Sequence, residues 1–397
     1  MSERISGKGA SMTEKKVQPE TLAAQALGRI DKATGAIIPP IHPSATYERG
    51  ADLSYSHGRL YSRADNPTYD AAADTLTALE GGAATLLFGS GMAAATAVFQ
   101  ALDPGGHVIV PKVMYWALRA WLLGFATRWG LRIEQVANGS SEALRAAVRP
   151  GHTKLVWLET PANPTWAVSD IAAAAEIAHA AGARLAVDST VATPVLTRPL
   201  SLGADIVMHS ASKYLNGHSD VVAGTLTAAT ADEFWARIKT VQVQNGGVAG
   251  PFEAWLLQRG LRTLFARVRW QCASAELLAT RLQRHPAVAE VLYPGLPDFP
   301  GHDVALRQMQ GGFGGMLSIR VKGGEPAAIA TAAGLKVWKR ATSLGGVESL
   351  AEHRASIEGA GSPVPRDLLR LSVGLEAAGD LYADLAEALE RAAARRD

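Results

Sequence analysis

Lys213 lies in the run HSASKYLNGHSD (209–220), and Asp188 lies upstream in LAVDSTVATP (185–194). Each follows an apolar stretch. A lysine set between small hydroxyl residues behind such a stretch serves structure poorly and imine chemistry well, because an unprotonated amine there can reach a carbonyl. A carboxylate at a buried strand end is costly unless it meets a cation. A protonated pyridine nitrogen is such a cation, and the pairing keeps the ring able to draw electrons. Together, Lys213 and Asp188 predict a site for pyridoxal 5′-phosphate (PLP). Taken singly, each has a plainer explanation. Most lysines are solvated surface residues, and an aspartate in DST fits a helix N-cap or a turn held by Ser or Thr.

Three further segments carry candidate site residues. GSGMAA (89–94) joins the apolar run ATLLF to an Ala-rich stretch. Small residues at a helix start leave backbone N–H groups free to face an anion. Ser90, Gly91 and Met92 are thus a candidate phosphate cup, to which Ser210 and Ser212 add hydroxyls; many such turns merely connect elements. Tyr115, in VPKVMYWALRAW, follows the run HVIVP. Its ring could stack on a pyridine and its hydroxyl could carry protons, while the adjacent Trp116 and Trp121 also suit ordinary aromatic packing. Asn163, in ETPANPT (159–165), either bonds the phenolic oxygen of the cofactor or shapes a Pro-Asn-Pro turn.

The elements that must position these residues follow from periodicity. ATLLF (84–88), HVIVP (107–111), KLVWLE (154–159), RLAVD (184–188) and DIVMHS (205–210) read as strands. Ala-rich helical stretches separate them, such as SDIAAAAEIAHAAG (169–182), opened by Ser169 and Asp170 and closed by Gly182. Strands alternating with helices imply an α/β fold with a mainly parallel sheet covered on both faces. Ligands of such sheets bind at the carboxyl ends of the strands, where each candidate residue falls. The expected organisation is an extended arm over 1–67, a cofactor-binding domain over 68–260 and a smaller α+β domain over 261–397. In the last, a helix is expected over 261–284, a strand over 316–321 and an amphipathic helix over 379–395.

The chain has 397 residues, 48% of them hydrophobic and 19% charged, which is enough for a large core. With 39 Lys and Arg against 37 Asp and Glu, its net charge of +2 gives no reason to expect nucleic acid or an anionic membrane as partner. Cys272 stands alone, so no disulfide can form within the chain, and a cytoplasmic setting is expected. No apolar run approaches the roughly 20 residues of a membrane span. The polar start MSERISGKGASMTEKK lacks a signal-peptide core and is expected to be a disordered lead-in. No G-x-G-x-x-G follows an N-terminal strand, which removes a dinucleotide-binding dehydrogenase. No metal site is expected.

The motifs together resemble the cystathionine γ-synthase family of PLP enzymes, the Cys/Met metabolism group, from about Glu20 to the end of the chain. TGAIIPPIHPSATY (34–47), YSRADNPT (61–68), GSGMAA, ETPANP, VDSTVATP, HSASKYLNGHSD, RGLRTL (259–264), SLGGVESL (343–350) and LRLSVGLE (369–376) agree in order and spacing. The resemblance implies the type I, aspartate aminotransferase-like PLP fold, with Lys213 and Tyr115 as proton carriers. It implies that Arg370 clamps the substrate α-carboxylate, helped by Ser343 and Asn163. It also implies that Tyr61 and Arg63 reach the phosphate in a neighbouring subunit, within a homotetramer built from two dimers.

Three positions depart from the family pattern and are expected to set the substrate. Thr342 stands where γ-synthases and γ-lyases resemble one another in carrying Glu. Trp116 replaces the usual glycine after the stacking tyrosine and is expected to reshape the pocket. Asp65 stands where a small residue is usual and is expected to read a cationic distal group. Surface placement or core filling would explain Trp116 and Asp65 equally. The reaction implied is γ-elimination or γ-replacement on a homoserine-derived or sulfur amino acid, with elimination favoured. Cystathionine β-lyase, a canavanine-type γ-lyase and an O-acylhomoserine sulfhydrylase or cystathionine γ-synthase are the alternatives. The complete set of Lys213, Asp188, Tyr115 and Arg370 speaks against a non-catalytic PLP-binding protein.

Overall fold

A computed structural model describes residues 17–359 and 361–394; the expected disordered lead-in lies outside them. Among the described residues, seven strands form the larger sheet: β1 (Ala84–Phe88), β2 (His107–Pro111), β3 (Arg132–Val136), β4 (Thr153–Glu159), β5 (Arg184–Asp188), β6 (Ile206–His209) and β7 (Gly224–Ala228). Their order is β1-β7-β6-β5-β4-β2-β3. β7 alone runs against its neighbours; β3, β2, β4, β5 and β6 pair in parallel. The carboxyl ends of β2, β4, β5 and β6 therefore share one edge. The sheet is apolar on both faces, as parallel sheets are. On one face Phe99, Trp157 and Met208 pack with Phe234 and Trp235 of the helix Glu233–Asn245. On the other, Ile109, Val156, Leu185 and Val187 pack with the helix Ile171–Ala180.

The strands expected over 84–88, 107–111, 154–159, 184–188 and 205–210 all form, within a residue at each end. Asp170 caps the helix Ile171–Ala180 by accepting the N–H of Ala173 at 3.0 Å, and Gly182 follows at φ 73°. β3 and β7 give no such warning. RIEQV has too few apolar residues, and GTLTA is three-fifths threonine and glycine yet wholly buried, because it is sandwiched between β1 and β6.

A second, smaller sheet holds β8 (Val288–Leu292), β9 (Met316–Val321), β10 (Lys339–Arg340), β11 (Leu350–His353) and β12 (Leu368–Ser372), in the order β10-β11-β12-β9-β8. The helices Gly324–Gly334 and Ala378–Ala394 pack on it through Ala328, Leu381, Leu385 and Leu389. The helix Leu264–Leu282 lies within the expected 261–284, and its Val268, Ala275 and Leu278 join the same core. Over 17–66 the described chain holds the short helix Pro19–Ala24, whose Ala23 packs with Leu79 and Phe265, and is otherwise mostly extended, with an isolated bridge between Thr46 and Tyr61 and exposed Ile37, Leu53 and Leu60.

Candidate active site

At the carboxyl edge of the larger sheet lies a cavity of about 800 Å³, walled on its far side by the turn before β11 and by β12. Ser90, Gly91, Met92, Tyr115, Trp116, Asn163, Asp188, Ser210, Ser212, Lys213, Thr342, Ser343 and Arg370 all line it. Tyr61, Arg63 and Asp65 do not. They lie in the arm, with Tyr61 exposed beneath the guanidinium of Arg63 at 5.5 Å and Asp65 ion-paired to Arg59.

Asp188 closes β5 and is buried. Its Oδ1 accepts both the N–H (3.0 Å) and the hydroxyl (2.5 Å) of Thr190. Its Oδ2 has no partner among the described residues. Alongside it in the β4–β5 register stands Glu159, also buried, whose two oxygens accept the N–H groups of Tyr115 (2.6 Å) and Asn163 (2.9 Å). Two carboxylates this close and this dry cannot both be ionised. Burial, and then the charge of Asp188, push Glu159 up to about 8. Burial raises Asp188 as well, but the hydroxyl and N–H of Thr190 bonded to its Oδ1 and the nearby His209 act against that, so we place the proton on Glu159 and the charge on Asp188. His209 faces away from the cavity and pairs with the fully buried Glu80 at 2.6 Å.

Lys213 sits in the turn after β6. Its Nζ donates to Ser343 Oγ at 2.8 Å. Burial, and then the guanidinium of Arg370, lower its pKa to about 8. Ser343 occupies φ 93°, a conformation that costs a residue with a side chain energy and persists only where its surroundings hold it. Here its hydroxyl meets Lys213 and its carbonyl accepts Arg370 Nη2 at 2.8 Å. Arg370, on β12, also donates to Asn163 Oδ1 (3.2 Å) and to Glu352 Oε2 (2.6 Å). Tyr115 opens the helix Trp116–Trp121 and is part exposed, with the indole of Trp116 edge-on at 6.4 Å. Burial raises its phenol above the usual range, so the hydroxyl is a proton donor rather than a base.

The residues present fit PLP on several independent counts. Ser90 caps the helix Gly91–Gln100 through Ala93, and the carbonyl of Ser90 takes Ala94. The N–H groups of Gly91 and Met92 are thereby left without acceptors among the described residues, as an anion site requires. A Cβ at Gly91 would come within 2.7 Å of Ser210 Oγ, so only glycine lets the cup close on that hydroxyl. Ser210 Oγ has no hydrogen bond of its own, whereas Ser212 Oγ both donates to and accepts from the backbone of Ala223. A ring nitrogen at the open Oδ2 of Asp188 would meet its charge, and Tyr115 would cover a ring face.

Glu159, Thr190, Glu352 and Arg354 also belong to the site, and the sequence motifs did not single them out. Glu159 carried a usable signal, since KLVWLE ends an apolar strand in a carboxylate just as RLAVD does. Arg354 had none in its local sequence.

Among the described residues, no helix is long and apolar enough to cross a membrane, and no cluster of His, Cys, Asp and Glu is arranged to hold a metal.

The free amine of Lys213 yields a pH prediction. The neutral form attacks an aldehyde, so PLP uptake by the stripped protein should quicken about tenfold per pH unit at low pH. It should level off above about 8, as followed by the visible band. A rate still climbing near pH 10, as for an ordinary lysine, would contradict the lowered value.

The sequence model for "Cys/Met metabolism PLP-dependent enzyme" matches residues 20–390. A cystathionine γ-synthase of Mycobacterium tuberculosis is 44% identical over 94% of this chain and 96% of its own length. A cystathionine γ-lyase of Bacillus subtilis is 41% identical, covering 91% of this chain and 96% of its own. The crystal structure of a cystathionine γ-synthase from Xanthomonas oryzae pv. oryzae, in complex with aminoacrylate and cysteine, superposes with a TM-score of 0.90 at 38% identity, over 95% of this chain and 99% of the other.

Proposed function

The chain belongs to the Cys/Met metabolism family of PLP-dependent enzymes, and we propose that it eliminates a γ leaving group, by C–S or C–O cleavage, from a homoserine-derived or sulfur amino acid. When bound, PLP supplies an aldehyde for the substrate amine and an electron-poor ring that takes up negative charge from Cα. Lys213 would remove the Cα proton, give it up to the carbon that came from the cofactor's aldehyde and, neutral again, take a Cβ proton, while Arg370 and Asn163 hold the α-carboxylate and Tyr115 protonates the departing group. Asp188 keeps its negative charge against the ring nitrogen while Glu159 stays neutral.

The observation that carries this reading is the double use of Ser343. One residue holds the amine of Lys213 on its hydroxyl and Arg370 on its carbonyl, so the proton carrier and the carboxylate clamp stand at a set separation. Thr342 lines the cavity beside it with a neutral hydroxyl, which suits a substrate side chain without a distal ammonium. The carboxylate of Asp65 is paired with Arg59 within the chain, which weighs against a cationic, canavanine-like substrate. A second reading, γ-replacement, is favoured by the 44% identity to a protein named cystathionine γ-synthase.

A substrate panel tests both readings. Methionine, cystathionine, O-acetyl- and O-succinylhomoserine and canavanine are offered with and without cysteine. 2-Oxobutyrate and ammonia from any of the first four support elimination. Cystathionine formed only with cysteine present supports replacement, and pyruvate from cystathionine would overturn both in favour of β-cleavage.

The arm supports a shared site. Tyr61 and Arg63 are displayed away from the chain's own cavity, which is how residues serving a neighbouring subunit would stand. We therefore propose an oligomer, a tetramer of two dimers, with each site completed by the arm of a second chain. Mixing inactive Arg63→Ala and Lys213→Ala subunits should restore activity to a fraction of the sites, because some then draw both residues from intact chains. No recovery on mixing would place Arg63 in the wrong subunit.

A further inference from the structure

Arg354 begins the short helix Arg354–Glu358 immediately after β11, and its side chain is only 3% exposed. It lines the cavity together with Tyr115, Trp116 and Ile357. A buried guanidinium persists only when carboxylates offset its desolvation, and Arg354 has two. Nη1 donates to Glu352 Oε2 at 2.8 Å, and Nη2 donates to Glu358 Oε1 at 3.0 Å. Its Nε is buried without a partner.

The informative atom is Glu352 Oε2. It accepts Arg354 and, at 2.6 Å, also Arg370, the residue that faces the substrate carboxylate. Two guanidiniums thus divide one carboxylate oxygen. Arg370 and Arg354 against Glu352 and Glu358 sum to zero. Without Arg354 the same cluster would carry one negative charge. Glu352 would then belong wholly to Arg370 and compete with any carboxylate arriving from solution. The other charged or titratable groups facing this cluster among the described residues include Lys213, Glu159 and Tyr115, whose environments each include the charge of Arg354, and Tyr214, whose environment includes that of Arg370.

We propose that Arg354 is a positioning residue for the α-carboxylate clamp. By drawing on Glu352 it leaves Arg370 with charge to spare for the substrate, and it keeps the surroundings of Lys213 electropositive. The inference rests on Arg370 being the carboxylate clamp and is independent of which bond the enzyme breaks.

The test uses the holoenzyme and two non-reacting ligands that differ only in the carboxylate, L-norleucine and pentylamine. Binding of each is read from the cofactor's visible absorbance. Arg354→Met is expected to weaken norleucine binding by about tenfold or more and to leave pentylamine binding unchanged. The pH at which the bound cofactor's visible band changes should move upward, because a nearby positive charge has gone. Glu352→Gln alone should tighten norleucine, and adding Glu352→Gln to Arg354→Met should recover most of the loss, the signature of coupled charges.

Equal losses for both ligands, or a double variant no better than the single, would overturn the proposal in favour of simple packing. If Arg354→Met does not fold, Glu352→Gln alone decides, since weaker norleucine binding there also overturns it. A failure of the elimination reading would appear in the substrate panel and leave these binding measurements intact.

Discussion

Lys213→Ala should lower turnover by at least about 10³-fold, the scale of a lost proton-transfer group, whichever substrate proves best. The amine is the group the cavity is organised to deliver. It emerges from the turn after β6, is held at 2.8 Å by Ser343, and is kept in reach of its neutral form by burial and by Arg370. The variant should still bind PLP through the N–H cup at Gly91 and Met92, through Ser210 and through Asp188. Borohydride should no longer fix the cofactor to the chain. Retained turnover above about a hundredth of the parent would exclude Lys213 as the proton carrier, and retained borohydride trapping would place the imine on another lysine.

Arg370→Met should cost about 10²- to 10³-fold in kcat/KM, because truncating one partner of a buried charge pair costs roughly 2–5 kcal/mol. The loss is expected mainly in KM for amino-acid substrates. Three acceptors hold this guanidinium in place: Asn163 Oδ1, the Ser343 carbonyl and Glu352 Oε2. Its removal also leaves Glu352 on Arg354 alone, so part of the cost is an unbalanced carboxylate facing an incoming anion. Lysine at this position should recover only part of the loss, since an ammonium cannot present the bidentate fork. Unchanged KM in both variants would move the carboxylate clamp elsewhere, and Arg354 is then the nearest guanidinium to examine.

Much of the large sheet was legible from sequence because its parallel strands are buried on both faces and read as short apolar runs. β7 was not, since its burial comes from lying between β1 and β6 rather than from its own composition. The smaller sheet was largely hidden for a related reason. Of its five strands, MLSIRV alone declared itself, while KR and LAEH become strands through pairing with distant segments.

At the site, the residues found from sequence share one property. Ser90, Tyr115, Asn163, Asp188 and Lys213 each follow an apolar run within a few residues, so the local pattern already places them at the strand ends where α/β ligands bind. That is why the cofactor chemistry is written in the sequence: Lys213 and Asp188 define it through short-range order alone. The charge balance that tunes Lys213 is not written there. It depends on β11 and β12 pairing so that Glu352 stands opposite Arg370, and on Arg354 being buried two residues beyond Glu352. It depends too on β4 and β5 setting Glu159 beside Asp188. Electrostatic energies follow distance in space and local burial, not separation along the chain. Only the packed tertiary structure could therefore decide which carboxylate keeps its proton and how much of Glu352 is left to Arg370.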